Sequence, residues 1–418
     1  MVLLVQKYGG SSLTDLSKLS VIARRVLKYV QAGYDVVLVL SAMQGETDRL
    51  IQLANLVTKH QSKREYDQLL AVGEQTAVCL MVLALEDIGV RACSLNAWQA
   101  NITSDAQHQR ASIKGIDTDA IGALLSQSIV PVITGFQALG SDHALTTLGR
   151  GGSDTTAVAV AAALNADECQ IFIDEQGIYT ADPKVMPSAR LIHKMDIHQL
   201  LAYSCMGAKV MQKRAVAIAA RYKVPMRICP TFTEGLGTVI DYTQADKVIE
   251  RTQVSAVASV RNYVLLICQG ALEDKQALDD LLACLTLSGL DLEHTLRQLP
   301  NAKFQLDCMC SDDDFNLIRA AVEQWQEACS QRSVRSLRGK AKVSLLGYAL
   351  ARDIGVTQVV MDVLGKANIH CYHIGALDYQ VSILIDAQYL ELAVRLLHEH
   401  YRLAETKTDA GRVPAVVA

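Results

Sequence analysis

The sequence lacks strong net charge, long apolar runs and any regular pattern of cysteines. Its 418 residues carry 40 Lys and Arg against 44 Asp and Glu, a formal net charge of −4. That balance gives no general electrostatic reason to bind nucleic acid or an acidic membrane. Apolar runs such as Val36–Leu40 and Ala157–Leu164 are far too short to cross a bilayer. We therefore expect no nucleic acid and no membrane among its partners.

The eleven cysteines are scattered along the chain. An odd number without a preceding leader favours reduced thiols that pack as small hydrophobic side chains. Cys308 and Cys310 share one face of a predicted strand, but no second Cys or His pair with zinc spacing accompanies them, so we expect no metal site there. No signal peptide precedes the strand pattern at Met1–Val5. These features predict a cytoplasmic protein.

The first 245 residues alternate short strands rich in Val or Ile with patterns of helical length. The strands are predicted at Val2–Gln6, Asp35–Leu40, Ile129–Gly135 and Gln170–Asp174, and the helices at Leu16–Ala32, Tyr66–Leu85, Asp117–Gln127 and Thr155–Leu164. This alternation predicts an α/β fold with a mainly parallel sheet between helices. Ligands of such sheets bind beyond the carboxyl ends of the strands.

After about residue 250 an order of β-α-β-β-α occurs twice, the copies lying roughly eighty residues apart. The pattern predicts two α+β modules, at 250–335 and 340–405, that serve ligand sensing or assembly. The polar stretch Ser330–Lys340 is interpreted as the joint between them. A single α+β domain without a sensing role remains an alternative.

Residues 146–157 compress one arginine, three glycines and five hydroxyl side chains into twelve positions before an apolar run. Glycines let a backbone approach an anion, and Ser, Thr or Asp before an apolar helix is an N-cap signature. The N-terminus of such a helix can bind a phosphate or a carboxylate, and the guanidinium group of Arg150 can bind a carboxylate through two hydrogen bonds. The segment therefore predicts an anion-binding loop.

Other strand ends carry weaker signals. Lys7 precedes a Gly-Gly turn that can cradle phosphate oxygens, although it does not match the common G-x-x-x-x-G-K-[ST] loop. Ser41–Asp48 is a small hydroxylated turn that could equally be a helix cap. For Glu74, which interrupts a helical pattern, the sequence alone favours an exposed acidic surface. Asp174–Lys184 has a turn glycine, an aromatic and acids suited to a ribose, and Met206–Lys209 adds a cation.

Taken together, these motifs resemble the aspartate kinases over essentially the whole chain. The matching stretches are Lys7–Ser12, Ser41–Met43, Gly73–Glu74, Gly149–Thr156, Tyr179–Pro183 and Gly207–Lys209. The resemblance implies an amino-acid-kinase catalytic domain at 1–245, followed by two ACT-like domains with the βαββαβ fold. It also implies transfer of the γ-phosphoryl group of ATP to L-aspartate, the first step toward lysine, threonine and methionine. A homodimer or tetramer assembled through the ACT domains would follow.

The resemblance also implies roles for single residues. Lys7, Arg150 and Asp154 would be catalytic. The substrate-binding set would be Thr47, Glu74, Arg150, Gly151, Gly152 and Ser153. The ATP-binding set would be Lys7, Tyr8, Gly9, Gly10, Ser11, Ser41, Ser153, Asp174, Tyr179, Thr180, Asp182, Pro183, Lys184 and Lys209. Mg²⁺ would be carried mainly by the phosphates of ATP, with no dedicated protein site.

The chain departs from the family in places. Gln176 stands where a second acid is common, and the ACT-like copies lack the usual Pro-Gly turn: the first has Ala271–Asp274, and the second keeps only Gly355. Inhibition by lysine or threonine is therefore left open, and we expect weak regulation or none. An amino-acid kinase with a shifted acceptor and a catalytically silent regulatory paralogue remain alternatives.

Overall fold

The computed structural model describes residues 1–58, 62–205, 211–242, 253–287, 290, 292–300, 302–348, 350–377 and 379–405. The chain forms two compact units. The first consists of Met1–Tyr179 and Leu191–Glu250, and the second of Thr180–Arg190 and Arg251–Ala418. The segment 180–190 thus packs with the C-terminal part of the chain, within the stretch 1–245 that the resemblance assigns to the catalytic domain.

The first unit is built on strands that alternate with helices. Its strands are β1 (Leu3–Tyr8), β2 (Asp35–Leu40), β3 (Ala92–Leu95), β4 (Ile102–Ser104), β5 (Ile113–Ile116), β6 (Val130–Thr134), β7 (Gln137–Leu139), β8 (Leu145–Thr147), β9 (Glu168–Ile173), β10 (Lys194–Asp196), β11 (Met226–Pro230) and β12 (Thr238–Asp241). Its helices are α1 (Leu16–Gln31), α2 (Glu46–Val57), α3 (Lys63–Leu70), α4 (Val72–Asp87), α5 (Asp119–Ser126), α6 (Gly152–Ala163), α7 (Ile197–Cys205) and α8 (Lys213–Tyr222).

Eight of these strands form one sheet in the order β10-β12-β11-β9-β1-β2-β6-β3. From β11 to β3 all neighbours are parallel, and only the β11–β12 pair is antiparallel. The strands β5-β4-β7-β8 form a second, small sheet. The predicted α/β fold with a mainly parallel sheet is confirmed.

Helices α1 and α4 bury apolar faces in the core beside β1, β2 and β6. Ile22 and Val26 of α1 meet Met81 and Leu85 of α4 in one cluster. The apolar strands pack against these helix faces because the contact removes hydrophobic surface of both from water. This packing fixes where α4 begins, and therefore where its first-turn side chains lie.

The stretch Lys63–Asp87, which includes α3 and α4, is long and apolar enough by length and composition alone to cross a membrane. It contains no long uninterrupted apolar run, because polar residues interrupt its first half. In the folded unit 44% of its most apolar window is buried. Met81 and Leu85 are fully buried against the sheet, as in a core helix of a globular domain.

The second unit repeats β-α-β-β-α twice. Its strands are β13 (Gln253–Ala271), β14 (Glu293–Leu299), β15 (Lys303–Ser311), β16 (Ser333–Tyr348), β17 (His373–Leu377) and β18 (Gln380–Asp386). Its helices are α9 (Lys275–Leu287), α10 (Asp312–Glu327), α11 (Ile354–Lys366) and α12 (Leu390–His400). The six strands form one sheet in the order β14-β15-β13-β16-β18-β17.

The long strands β13 and β16 pair from Gln253, opposite Tyr348, to Gln269, opposite Ser333, with register shifts between. Side chains of both strands pack in the cores of both copies. The predicted joint at Ser330–Lys340 is wrong, because most of it is the first half of β16. Among the described residues, that half pairs only with β13 until Lys340, where β18 begins to pair, so polar side chains can face water there.

Ten of the eleven cysteines are free thiols. Cys308 and Cys310 lie in the apolar core of the first copy. Burial raises the pKa of each of these thiols to about 12. Both therefore behave as small hydrophobic side chains rather than as thiolate ligands.

Candidate active site

A cavity of about 420 Å³ opens at the carboxyl ends of β1, β2 and β6. Its lining combines glycines and hydroxyl groups with both signs of charge. The lining residues are Lys7, Gly10, Ser11, Ser41, Ala42, Met43, Gln44, Gly45, Thr47, Asp48, Glu74, Phe136, Gly149, Arg150, Gly151, Gly152, Ser153 and Asp154. A site at the ends of parallel strands is where an open α/β sheet offers unpaired backbone groups.

Lys7 lies at the end of β1 and forms an ion pair with Asp154, with Nζ 2.6 Å from Oδ1. Both side chains are about nine-tenths buried. The ammonium lies over Gly9, where a Cβ atom would come within 2.9 Å of Nζ. The chain then turns into a short 3-10 helix, Gly10–Leu13. Lys7 thus lies beside backbone N–H groups, an arrangement that suits phosphate oxygens.

Asp154 belongs to the first turn of α6, whose N-cap Gly151 has a φ of +69°. That left-handed conformation favours glycine, and a Cβ atom there would lie 1.5 Å from the Gln212 side chain. The N-terminus of α6 therefore points its free N–H groups and partial positive charge at the cavity.

Arg150 is exposed and lies one residue before that cap. Its loop is fixed from behind by Arg214, which donates hydrogen bonds to the carbonyl oxygens of Leu148 (2.7 Å) and Ala111 (2.8 Å). Partial burial lowers the pKa of the Arg214 guanidinium. Arg150 can therefore reach a ligand from a backbone that is itself held in place.

Glu74 is buried, not part of an exposed acidic surface as the sequence alone favoured. Gly73 explains the difference, because a Cβ atom there would come within 2.8 Å of Ala42 Cβ. The missing side chain lets α4 approach the turn after β2, where Glu74 Oε1 accepts a hydrogen bond from Ala42 N at 3.0 Å. Oε2 is buried and has no hydrogen-bond partner among the residues that the structure describes, and burial raises the pKa of the Glu74 carboxyl to about 8. A cationic ligand group would satisfy Oε2.

The predicted substrate-side residues Thr47, Glu74, Arg150, Gly151, Gly152 and Ser153 all line the cavity. So do Lys7, Gly10, Ser11, Ser41 and Asp154 from the predicted phosphate side. Tyr8 needs a correction, because its ring is fully buried and stacks on Phe172 with centroids 4.5 Å apart. Only the main chain of Tyr8 can face a nucleotide.

The remaining nucleotide-side predictions divide between the units. Asp174 follows β9 and is exposed, and Tyr179 is partly buried; both belong to the first unit. Asp182, Pro183 and Lys184 belong to the second unit. Lys209 lies outside the described residues.

Thr180 also needs a correction. It is buried within the second unit, where its hydroxyl lies 3.0 Å from His398 Nε2 and accepts a hydrogen bond from Arg190 N at 2.9 Å. The Thr180 side chain is therefore committed to packing and is not available to ATP.

Several residues that shape the site carry no sequence signal of their own. Gly135 allows Ser153 to approach, since its Cβ atom would lie 2.6 Å from the Ser153 side chain. Phe136 lines the cavity from a backbone with φ of +70°. Asp67 is fully buried and accepts hydrogen bonds from the loop 108–109 and from Thr147.

Comparison with known proteins identifies the family of the chain. The model of the amino acid kinase family matches residues 2–230. An aspartate kinase from Pseudomonas putida is 36% identical over 404 residues, covering 96% of this chain and 98% of the relative. An aspartokinase from Geobacillus stearothermophilus is 34% identical over 406 residues, covering 97% and 98%.

A solved structure shares the fold. The crystal structure of E. coli aspartokinase III in complex with aspartate and ADP has a TM-score of 0.78 at 22% identity, covering 95% of this chain and 99% of that one. The resemblance drawn from the motifs is confirmed. The chain belongs to the amino acid kinase family and, within it, to the aspartate kinases.

Proposed function

We propose that the protein transfers the γ-phosphoryl group of ATP to the side-chain carboxylate of L-aspartate, giving ADP and 4-phospho-L-aspartate for amino-acid biosynthesis. One observation carries the proposal: a single cavity joins the Lys7–Asp154 pair to Glu74 and Arg150. Such a lining offers a cation for phosphates and opposite charges for the two ends of an amino acid.

Glu74 and Arg150 take the α-groups of aspartate in this proposal. The unpaired Oε2 of Glu74 receives the ammonium, and Arg150 grips the α-carboxylate. Thr47, with Gly151, Gly152 and Ser153, completes the acceptor side. Both signs of charge are needed because the substrate presents both, and the side-chain carboxylate is then left free to react.

Lys7 and the glycine turn take the phosphates. Lys7 bridges their oxygens, Asp154 orients Lys7, and Gly9, Gly10, Ser11 and Ser41 add backbone and hydroxyl donors. The exposed Asp174 and the partly buried Tyr179, which follow β9, serve the nucleoside, with Asp182, Pro183, Lys184 and Lys209 as further candidates.

When bound together with ATP, Mg²⁺ would neutralise part of the charge of the phosphates. Its preference for oxygen ligands and retained waters means that it needs few protein carboxylates. Among the lining residues, Asp154 and Asp48 are the carboxylates that would complete its coordination. This donor set fits a metal carried by the substrate rather than a protein-built cage.

The chemistry requires no general base. A free carboxylate has a pKa of roughly 4, so the nucleophile is already ionised at neutral pH. The barrier comes from bringing two anions together in line. Positioning by the charged pairs, with stabilisation by Lys7 and the α6 N-terminus, is therefore the protein's contribution.

Aspartyl hydroxamate formation tests the reaction. With ATP, Mg²⁺, L-aspartate and hydroxylamine, the proposal expects a hydroxamate whose amount depends on aspartate and ATP. Parallel reactions with L-glutamate test whether the enzyme phosphorylates a different amino acid. Hydroxamate from glutamate but not aspartate would replace our acceptor, and none from either acid would favour the silent paralogue, although Lys7, Arg150 and Asp154 are all in place in the cavity.

We also propose that the second unit contains two ACT-like domains that share β13 and β16, instead of meeting between 335 and 340 as the sequence bounds 250–335 and 340–405 had it. These domains serve mainly to form a homodimer or tetramer of a cytoplasmic enzyme. The first helix of each copy, α9 or α11, is capped at its N-terminus by an acidic side chain of the chain itself. Asp274 Oδ1 accepts a hydrogen bond from Ala277 N at 3.0 Å, and Asp353 Oδ1 one from Gly355 N at 2.9 Å. These carboxylates occupy helix N-termini that would otherwise attract the carboxylate of an amino-acid effector.

Titration of the activity with lysine and threonine, singly and together, tests weak regulation. Unchanged rates at millimolar effector are expected, and strong inhibition at micromolar concentrations would contradict it. Light scattering coupled to size exclusion gives the mass of the assembly, and a monomer would contradict the assembly role.

A further inference from the structure

The buried carboxylate of Asp67 connects the two elements that carry Glu74 and Arg150, the charged residues of the proposed aspartate site. Asp67 is 0% exposed and lies on α3, one turn before the chain enters α4 at Val72. Its oxygens accept hydrogen bonds from Thr147 Oγ1 (2.6 Å), Gln109 N (2.9 and 3.1 Å) and His108 Nδ1 (2.8 Å). A buried carboxylate with this many donors holds its partners in one arrangement.

Two of these partners, Thr147 and Gln109, lie beside the loop that carries Arg150, and the helix of Asp67 itself leads to Glu74. Thr147 ends β8, three residues before Arg150. Gln109 packs closely against the same loop, since its carbonyl oxygen would lie 3.0 Å from a Cβ atom placed on Gly149. On the other side, α3 leads through Ala71 to Glu74, and Gln137 Nε2 donates a hydrogen bond to the Ala71 carbonyl at 3.2 Å.

We infer that Asp67 is a positioning residue that sets the spacing between Glu74 and Arg150, and through it selects an α-amino acid as acceptor. The inference rests on the proposed function. Asp67 does not line the cavity, so it acts through the two elements that it ties together. Binding both α-groups at once requires both elements in register, and displacement of either by a fraction of an ångström weakens the pair.

Asp67→Asn and Thr147→Val test the inference. Asparagine at position 67 keeps the size of the side chain but places an NH₂ group against hydrogen-bond donors. Valine at position 147 removes only the hydrogen bond between Asp67 and β8. We expect Asp67→Asn to raise the KM for aspartate by ~10-fold or more, while the KM for ATP and kcat change less than about threefold. Thr147→Val should shift the same constant in the same direction by a smaller factor.

Ser104→Ala is the matched control. Ser104 Oγ lies 2.7 Å from Thr146 Oγ1 in the same small sheet, and the residue is buried, but this bond does not reach α3. Its loss should lower the melting temperature without changing the KM for aspartate. If Asp67→Asn does not fold, the comparison of the KM for aspartate between Thr147→Val and Ser104→Ala decides whether the inference holds.

Two analogues separate positioning from general damage. Succinate lacks the ammonium of aspartate and β-alanine lacks its α-carboxylate, so as inhibitors each uses one of the two charged side chains. Asp67→Asn should change either inhibition constant less than about threefold, well below its effect on aspartate. Equal losses for all three ligands, or an unchanged KM for aspartate in both variants, would overturn the inference. Wild-type protein that does not phosphorylate aspartate would instead overturn the proposed function.

Discussion

The Glu74 carboxyl gives the site a predictable dependence on pH. Burial raises its pKa to about 8, whereas an unfolded chain would show a pKa near ~4.3. Between these values the folded protein holds a proton that the unfolded chain releases, so this group's contribution to stability is lost as pH rises through about 8. The substrate ammonium favours the ionised form, so aspartate binding gains over the same window.

We therefore expect two opposite slopes between about pH 6.5 and about pH 8.5. The free energy of unfolding falls, while the affinity for aspartate rises roughly tenfold or more. Calorimetric unfolding and aspartate saturation of ADP release measure the two quantities. Glu74→Gln is the control, since its neutral amide should flatten the stability slope. An aspartate affinity independent of pH in the unmodified protein would contradict the role of Glu74.

Lys7 and Arg150 are expected to affect different kinetic constants. Lys7→Ala removes a charge that acts on the transferring phosphoryl group, so kcat should fall by about two orders of magnitude while the protein stays folded. Arg150→Ala removes a contact to a group that does not react, so the KM for aspartate should rise with a smaller change in kcat. Steady-state kinetics with both substrates varied separates the two effects. Near-normal turnover of the Lys7 variant would remove its proposed role.

At the scale of elements, the approach of α4 to the turn after β2 places Glu74, and Gly73 permits it. In Gly73→Ala the new Cβ atom would lie 2.8 Å from Ala42 Cβ, so the turn 41–45 must move. We expect a KM for aspartate at least several-fold higher and a lower melting temperature, as for other overpacked contacts. Saturation kinetics and thermal unfolding measure both.

Gly122→Ala is the matched control, because nothing lies within 4 Å of its added Cβ atom in α5. It should leave the kinetics unchanged and stabilise the helix by about 0.5–1 kcal/mol. Identical kinetics for the two alanine variants would show that the turn tolerates the contact.

The elements also show what could be predicted from sequence. Strand β2 is predicted residue for residue, because an uninterrupted Val and Leu run has one favourable place in a parallel sheet. The predicted helix Tyr66–Leu85 is instead two helices that meet at Ala71, and periodicity gives no sign of that break. Glu74 was found only through the resemblance. Its burial depends on Gly73 facing Ala42, a contact between residues 31 positions apart that local pattern cannot reveal.

At the scale of the whole molecule, the second unit takes a segment from within the sequence of the first. Ala181 and Met186 are buried in the apolar core of the second ACT-like copy, with Val360 and Leu397. Val257 N also donates a hydrogen bond to the Thr180 carbonyl at 2.7 Å. The two units are therefore not separable at a single point in the chain.

A chain truncated after Glu250 tests this interdependence. It would keep residues 180–190 but lose the core that covers Ala181 and Met186, so apolar surface becomes exposed. We expect the fragment to bind a hydrophobic dye, to aggregate, and to form little aspartyl hydroxamate. Met186→Ala in the full chain is the matched variant, since it removes part of that buried side chain and should lower the melting temperature by a measurable amount with turnover retained. A soluble, cooperatively unfolding and fully active fragment would show that the segment folds without the second unit.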